Sequence, residues 1–228
     1  MDSVILPPLR GGSGWSKSAA LAALSLAVTG WAGAAANEDP HANHMHPMPP
    51  KAAWNKSSAN YKMPEVTLVR ADGAKVRLAK ELDDGGRPVI LNFIYTTCTA
   101  VCPVMTQTLA EVQNRLGEDK GKIRMVSVSI DPEQDTPQRL GEYAKKYSAG
   151  PQWNFYTGSV EASIATQRAF DAYRGDKMNH TPVTFLRAAP DKAWIRIDGF
   201  ATADDLLAEV KNMLSLTESH SQHAHATP

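Results

Sequence analysis

The sequence predicts an α/β fold, a mixed sheet flanked by helices on both faces. Three observations carry that expectation. Arg87-Pro-Val-Ile-Leu-Asn-Phe-Ile94, bounded by Gly85-Gly86, is a nearly continuous apolar run of the kind a strand shows when both its faces are covered. Apolar residues at helical spacing follow it directly: Met105, Leu109, Val112 and Leu116, with Pro103 suited to a first helical position and Gly117 marking the stop. Strand-like and helix-like stretches then keep alternating to the end of the domain, an order that builds sheets with helices on both sides.

The remaining elements fall in sequence. Ile123 to Ile130 is β-branched and alternating, a second strand. Thr136-Pro137 pairs a capping residue with a proline at the first helical position, and Leu140, Tyr143, Ala144 and Tyr147 form one face of the helix it opens. Trp153 to Tyr156 reads as a short strand, Val160 to Tyr173 as a helix, and Pro182 to Leu186 with Trp194 to Ile197 as a hairpin. A last helix from about Thr202 buries Leu206, Leu207, Val210, Met213 and Leu214. Sites in such sheets collect at the C-terminal ends of the parallel strands.

Around this domain, placed at residues 61–216, the chain changes character. Arg10 and Lys17, the apolar stretch Ala19 to Val28 and the small residues Ala32 to Ala36 read as the three regions of a secretory signal peptide over residues 1–36. The apolar core is shorter than the ~20 residues of a spanning helix. The expectation is export to the periplasm, with membrane tethering if the segment stays uncleaved. Residues 37–60 are rich in His, Met and Pro, and 217–228 form a His-rich tail; both have the composition of disordered polar segments. His41, His44, His46, His220, His223 and His225 lie there, with Met45 and Met48, as donors of the kind that capture copper. Lys plus Arg equals Asp plus Glu at 24 each, which gives nucleic acid or a membrane surface no electrostatic hold.

The two cysteines stand in one stretch, Phe93-Ile-Tyr-Thr-Thr-Cys98-Thr-Ala-Val-Cys102-Pro103. Cys98 falls in the loop leaving the first long strand. Cys102 falls at the helix start, where free N–H groups favour a thiolate. That suits two chemistries, attack on a disulfide and binding of a soft metal ion. A permanent disulfide across so short a loop constrains little of the unfolded chain. His180, in Lys177-Met-Asn-His180-Thr-Pro182, is the one histidine within 61–216. Its place before a strand expected beside the cysteine-bearing strand offers an imidazole to the thiols, and two thiolates with an imidazole suit Cu(I).

Cys98-x-x-x-Cys102-Pro103, then Val128-Ser-Ile-Asp131-Pro132-Glu-x-Asp135-Thr136-Pro137, then His180 together resemble the SCO/SenC family of copper-delivery proteins, over about Tyr61 to Leu214. The resemblance implies a thioredoxin-like fold and one copper ion, Cu(I) or Cu(II), held by Cys98, Cys102 and His180. It also implies delivery of that ion to the binuclear copper centre of cytochrome c oxidase subunit II or another copper-accepting protein, or upkeep of the centre's thiols. Asp131 and Asp135 fall in the family's acidic loop, although Asp135 and Thr136 read more simply as caps of the next helix. Asn179 stands where many members carry an Asp. Thr181-Pro182 is similar to the thioredoxin loop that faces a cysteine pair, which keeps open a second class of function. That class is a thiol-disulfide oxidoreductase in which Cys98 and Cys102 are the catalytic redox pair. A peroxiredoxin is disfavoured, because Tyr95 stands where that family has a proline.

Overall fold

The computed structural model describes residues 54–224. The signal segment 1–36 and the His/Met-rich stretch to residue 53 lie outside the described residues, as does His225.

All the strands belong to one eight-stranded mixed sheet in the order β1-β8-β7-β4-β5-β6-β2-β3. In chain order the elements are β1 (Trp54–Ala59), β2 (Thr67–Arg70), β3 (Lys75–Arg77), α1 (Leu78–Asp83), β4 (Val89–Ile94), α2 (Val101–Arg115), β5 (Arg124–Ser129), α3 (Pro137–Lys146), β6 (Trp153–Thr157), α4 (Val160–Ala169), β7 (Val183–Arg187), β8 (Trp194–Gly199) and α5 (Ala203–Ala224). β4, β5 and β6 run parallel, while β7 is antiparallel to β4 and to β8. This is the expected α/β arrangement, a thioredoxin-like sheet with helices on both faces.

The alternation of side chains along the central strands divides the core in two. Ile90 and Ile94 of β4, Met125 of β5 and Phe155 of β6 pack with α2, α3 and α5 on one face. Leu91 and Phe93 of β4, Val126 and Val128 of β5 and Tyr156 of β6 pack with α1 and α4 on the other. Every residue of β4 is buried, as the nearly continuous apolar run predicts. On the second face Phe93, Phe170, Phe185 and Trp194 meet ring to ring, with Phe170 and Phe185 centroids 4.9 Å apart and Phe170 and Trp194 edge-on at 5.0 Å.

Three boundaries differ from the sequence reading. β1 lies upstream of residue 61, inside the segment read as a tail: it pairs antiparallel with β8, Trp54 opposite Gly199. Trp54 Nε1 donates to Asp205 Oδ2 at 3.0 Å. Its middle, Asn55-Lys-Ser-Ser58, is exposed on both faces and carries no apolar period, so the pairing is invisible in the pattern. α4 stops at Ala169 rather than Tyr173, because Asp171 takes a left-handed conformation (φ 50°) and the Ala172 N–H turns back to the Gln167 carbonyl at 2.8 Å. α5 continues past 216 to Ala224. Gly117 does end α2, as the first residue beyond the cap, with φ 54°. Among the described residues no helix is long and apolar enough to cross a membrane.

Phe185 is fully buried at the centre of the aromatic group. Phe185→Ala should cost roughly 3–5 kcal/mol of stability, measured by urea unfolding; a loss below about 1 kcal/mol would contradict this packing.

Candidate functional site: a thiol pair beside a buried imidazole

The site forms where three loops meet at one edge of the sheet. β4 and β5 are parallel, so their C-terminal ends lie together and release the loops 95–100 and 130–136 side by side. β7 is antiparallel to β4, with Thr184 opposite Asn92, so the segment entering β7 reaches the same edge and brings His180 with it.

Asp135 joins the first two loops. It is fully buried, and its carboxylate accepts from Thr96 Oγ1 at 2.5 Å, from Ser129 Oγ at 2.6 Å and from the Thr96 backbone N–H at 3.2 Å. It is therefore no helix cap. Thr136 alone caps α3, its Oγ1 accepting from the Arg139 N–H at 3.2 Å. With the cap supplied by Thr136, the preceding carboxylate is free to turn inward.

Asp131 joins the second loop to the third. Its Oδ2 accepts from Lys177 Nζ at 2.6 Å, and Lys177 opens the short 3-10 turn 177–179 that leads into His180. The same lysine lies 5.8 Å from the centre of the Tyr95 ring. Tyr95 closes the circle, donating its hydroxyl to Met178 Sδ at 3.8 Å. Burial, then a hydrogen bond with Cys98, pushes the Tyr95 phenol up to about 12, so it stays a donor at neutral pH.

Both cysteines are free. Helix α2 starts at Val101 with no side-chain cap at Ala100, so its first N–H groups need another acceptor. Cys98 provides it: the Cys102 N–H donates to Cys98 Sγ at 3.3 Å. Burial pushes the Cys98 thiol up, but the N–H groups of Cys102 and Ala100, with the Cys102 and Tyr95 side chains, outweigh that and hold it below the ordinary thiol value. Cys102 behaves in the opposite way. It is 1% exposed, and burial, then the neighbouring Cys98 and Asp135, push it well up. The expectation that the helix start would ionise Cys102 is thus reversed. The helix N-terminus acts on the sulfur that faces it, which is Cys98.

His180 is half-buried. Its Nε2 is buried without a hydrogen-bond partner. Desolvation, opposed by the Phe93 carbonyl, holds its pKa below the ordinary value of 6.5, so the neutral imidazole is the main form at pH 7. Tyr95, Cys98, Thr99, Val101, Met178 and His180 line a cavity of about 110 Å³. A larger cavity of about 410 Å³ shares His180, Asp131 and Lys177 but has no cysteine in its lining. Ligands of cofactor size occupy ~300–1,000 Å³; the thiol cavity is of a size for an ion. Among the described residues no three His, Cys, Asp or Glu side chains stand as a preformed metal cluster. The structure thus brings Cys98 against Cys102 and places Cys98 and His180 in one cavity wall. Sequence reasoning placed Asp135 in the acidic loop but read it as a cap, and missed Lys177, Tyr95 and Met178; all four act through contacts between loops remote in the chain.

Fold and site define a thioredoxin-like domain with a CxxxC thiol pair at the first parallel strand's end and a histidine in the same cavity wall as Cys98. The chain belongs to the SCO1/SenC family, whose model matches residues 55–215. It is 27% identical over 172 residues to the SCO1 protein homolog of Bacillus subtilis (strain 168), covering 71% of this chain and 87% of that one. Among solved structures it resembles Arabidopsis thaliana ScoI with copper bound, at 28% identity and a TM-score of 0.55 over 66% of this chain and 96% of that one. It also resembles BsSco, described as a member of the Sco family of cytochrome c oxidase assembly proteins and as having a disulfide switch. That match has 29% identity and a TM-score of 0.59 over 71% of this chain and 98% of that one.

Three outcomes follow from the site. In the metal-free, reduced protein Cys98 should react with iodoacetamide at pH 7.5 well before Cys102, read by mass spectrometry of the peptides; equal rates would contradict the asymmetry. Asp135→Asn should cost about 1.5–3 kcal/mol, the range for hydrogen bonds to a charged group, and speed amide exchange at Thr96 to Cys98. The pH dependence has a definite sign. The unfolded chain takes up the His180 proton before the folded one, so stability falls as pH drops below about 6.5. His180→Gln should flatten that fall between pH 7.5 and 5.5 in thermal melts of the metal-free protein; an unchanged slope would contradict a buried neutral imidazole.

Proposed function

We propose that this Sco-type protein is an exported copper metallochaperone that binds one copper ion through Cys98, Cys102 and His180. It delivers the ion to the binuclear copper centre of cytochrome c oxidase or to another copper-accepting protein. One observation carries the reading: the buried His180 Nε2 has no partner, and His180 lines the same small cavity as the thiol of lowered pKa. An unsatisfied buried nitrogen is costly unless something binds it, and thiolate with neutral imidazole is a donor set that favours copper.

The residues divide the work. Cys98 is already biased toward thiolate and meets the ion first. Cys102 keeps its proton until the ion's charge draws it off, so binding releases a proton there. The Phe93 carbonyl beside the imidazole would take the ring's N–H once the other nitrogen binds the ion, as outer partners of metal-bound histidines do. The thiols and imidazole need to draw together around the ion, and the loops can carry that movement because the ties between them run through side chains. Release to an acceptor is then ligand exchange, with no turnover of a substrate.

A second reading rests on the thiol asymmetry itself. A half-exposed Cys98 of lowered pKa beside a buried Cys102 of raised pKa is an attacking and a resolving sulfur, the pair a thiol-disulfide oxidoreductase uses. His180 distinguishes the two readings, because attack on a disulfide does not need it. His180→Ala should weaken copper binding at least about 10- to 100-fold, the range that even the outer partners of metal ligands command, while reduction of a small disulfide persists. Unchanged copper affinity in the reduced variant, measured by chelator competition, would overturn the metallochaperone reading.

A further inference from the structure

Met178 is 73% exposed, yet it lines the thiol cavity with Cys98 and His180. Leaving such a side chain in water forgoes ~1.5–3 kcal/mol of burial, so the fold gains little from a methionine there. Its backbone, by contrast, is firmly placed. The Met178 N–H donates to Asp176 Oδ1 at 2.8 Å, the His180 N–H donates to the Lys177 carbonyl at 3.1 Å, and Lys177 is tied to Asp131. The thioether itself is turned toward the site, since Sδ accepts from the Tyr95 hydroxyl, and Tyr95 lines the same cavity as Cys98. A thioether is a soft, uncharged donor on an unbranched, adaptable side chain, and soft donors select Cu(I).

Resting on the copper reading above, we infer that Met178 is a fourth copper ligand at the mouth of the site, through which Cu(I) enters and leaves. Its sulfur bonds the ion on the solvent side of Cys98, Cys102 and His180, giving up the contact with the Tyr95 hydroxyl. No proton and no electron move in that exchange, because a thioether has none to lose and the ion stays Cu(I). A thioether bond is weaker than a thiolate bond, which makes this the ligand an acceptor protein displaces first.

The test is a titration of the reduced full-length protein, labelled with ¹³C at the methionine ε-methyl groups, with Cu(I). Met178→Leu assigns the resonance and, at so exposed a position, leaves the fold intact. At one equivalent of Cu(I) the Met178 methyl should move while those of buried Met125 and Met213 stay in place. Met178→Leu should bind Cu(I) roughly tenfold more weakly, ~1.4 kcal/mol, with His180 and both thiols still engaged. A wild-type protein that binds one Cu(I) with the Met178 methyl unmoved and the leucine variant equally tight would overturn this inference alone. A wild-type protein that binds no Cu(I) would overturn the copper reading with it.

Discussion

The buried carboxylate of Asp135 is the joint on which the rest of the site depends. The thiol loop leaves β4 as plain backbone with no regular structure, and the packing of Tyr95 and Cys98 against the core is not all that fixes the direction it takes. Three hydrogen bonds from Thr96 and Ser129 to one carboxylate settle that direction. Bonds to a charged acceptor are stronger than neutral ones, and in a buried setting they cannot be traded for water. With the loop pinned, α2 begins in a fixed position relative to Cys98, and its uncapped N–H groups find the sulfur. The N–H groups that lower the Cys98 pKa thus follow a loop held by a carboxylate 37 residues further along the chain.

The Asp131–Lys177 pair does for His180 what Asp135 does for the cysteines. Lys177 is partly exposed and so is a weak contributor to overall stability. Its effect is one of placement: it ties the turn before His180 to the loop that Asp135 already holds. Three loops from three parts of the chain therefore share two aspartates of one short segment. That arrangement keeps Cys98 against Cys102 and His180 in the same cavity wall as Cys98, as suits a protein that takes up an ion and gives it up again.

The central strands and their helices were legible because each carries an unambiguous signal: the apolar run of β4, the Thr136-Pro137 start of α3, the apolar stripe of α5. The cysteine pair was legible as a loop-to-helix junction, and His180 as a candidate because it precedes a strand next to β4. β1, β2 and β3 were not, since short, half-polar strands at or near a sheet edge owe their existence to a partner rather than to their own pattern. The reversed thiol order was hidden for a different reason. Helix-start position was visible in the sequence, but which sulfur the N–H groups face, and how deeply Cys102 is buried, are properties of the packed loop. Asp135 was misread as a cap because Asp before Thr-Pro fits that role as well as the buried one.

The most direct measurement is X-ray absorption at the copper edge of the protein loaded with one equivalent of Cu(I). The expected spectrum shows thiolate sulfur and an imidazole bound to the same ion, with the imidazole contribution lost in His180→Ala. A spectrum with sulfur alone in the wild-type protein, unchanged by the substitution, would contradict a site built from Cys98, Cys102 and His180.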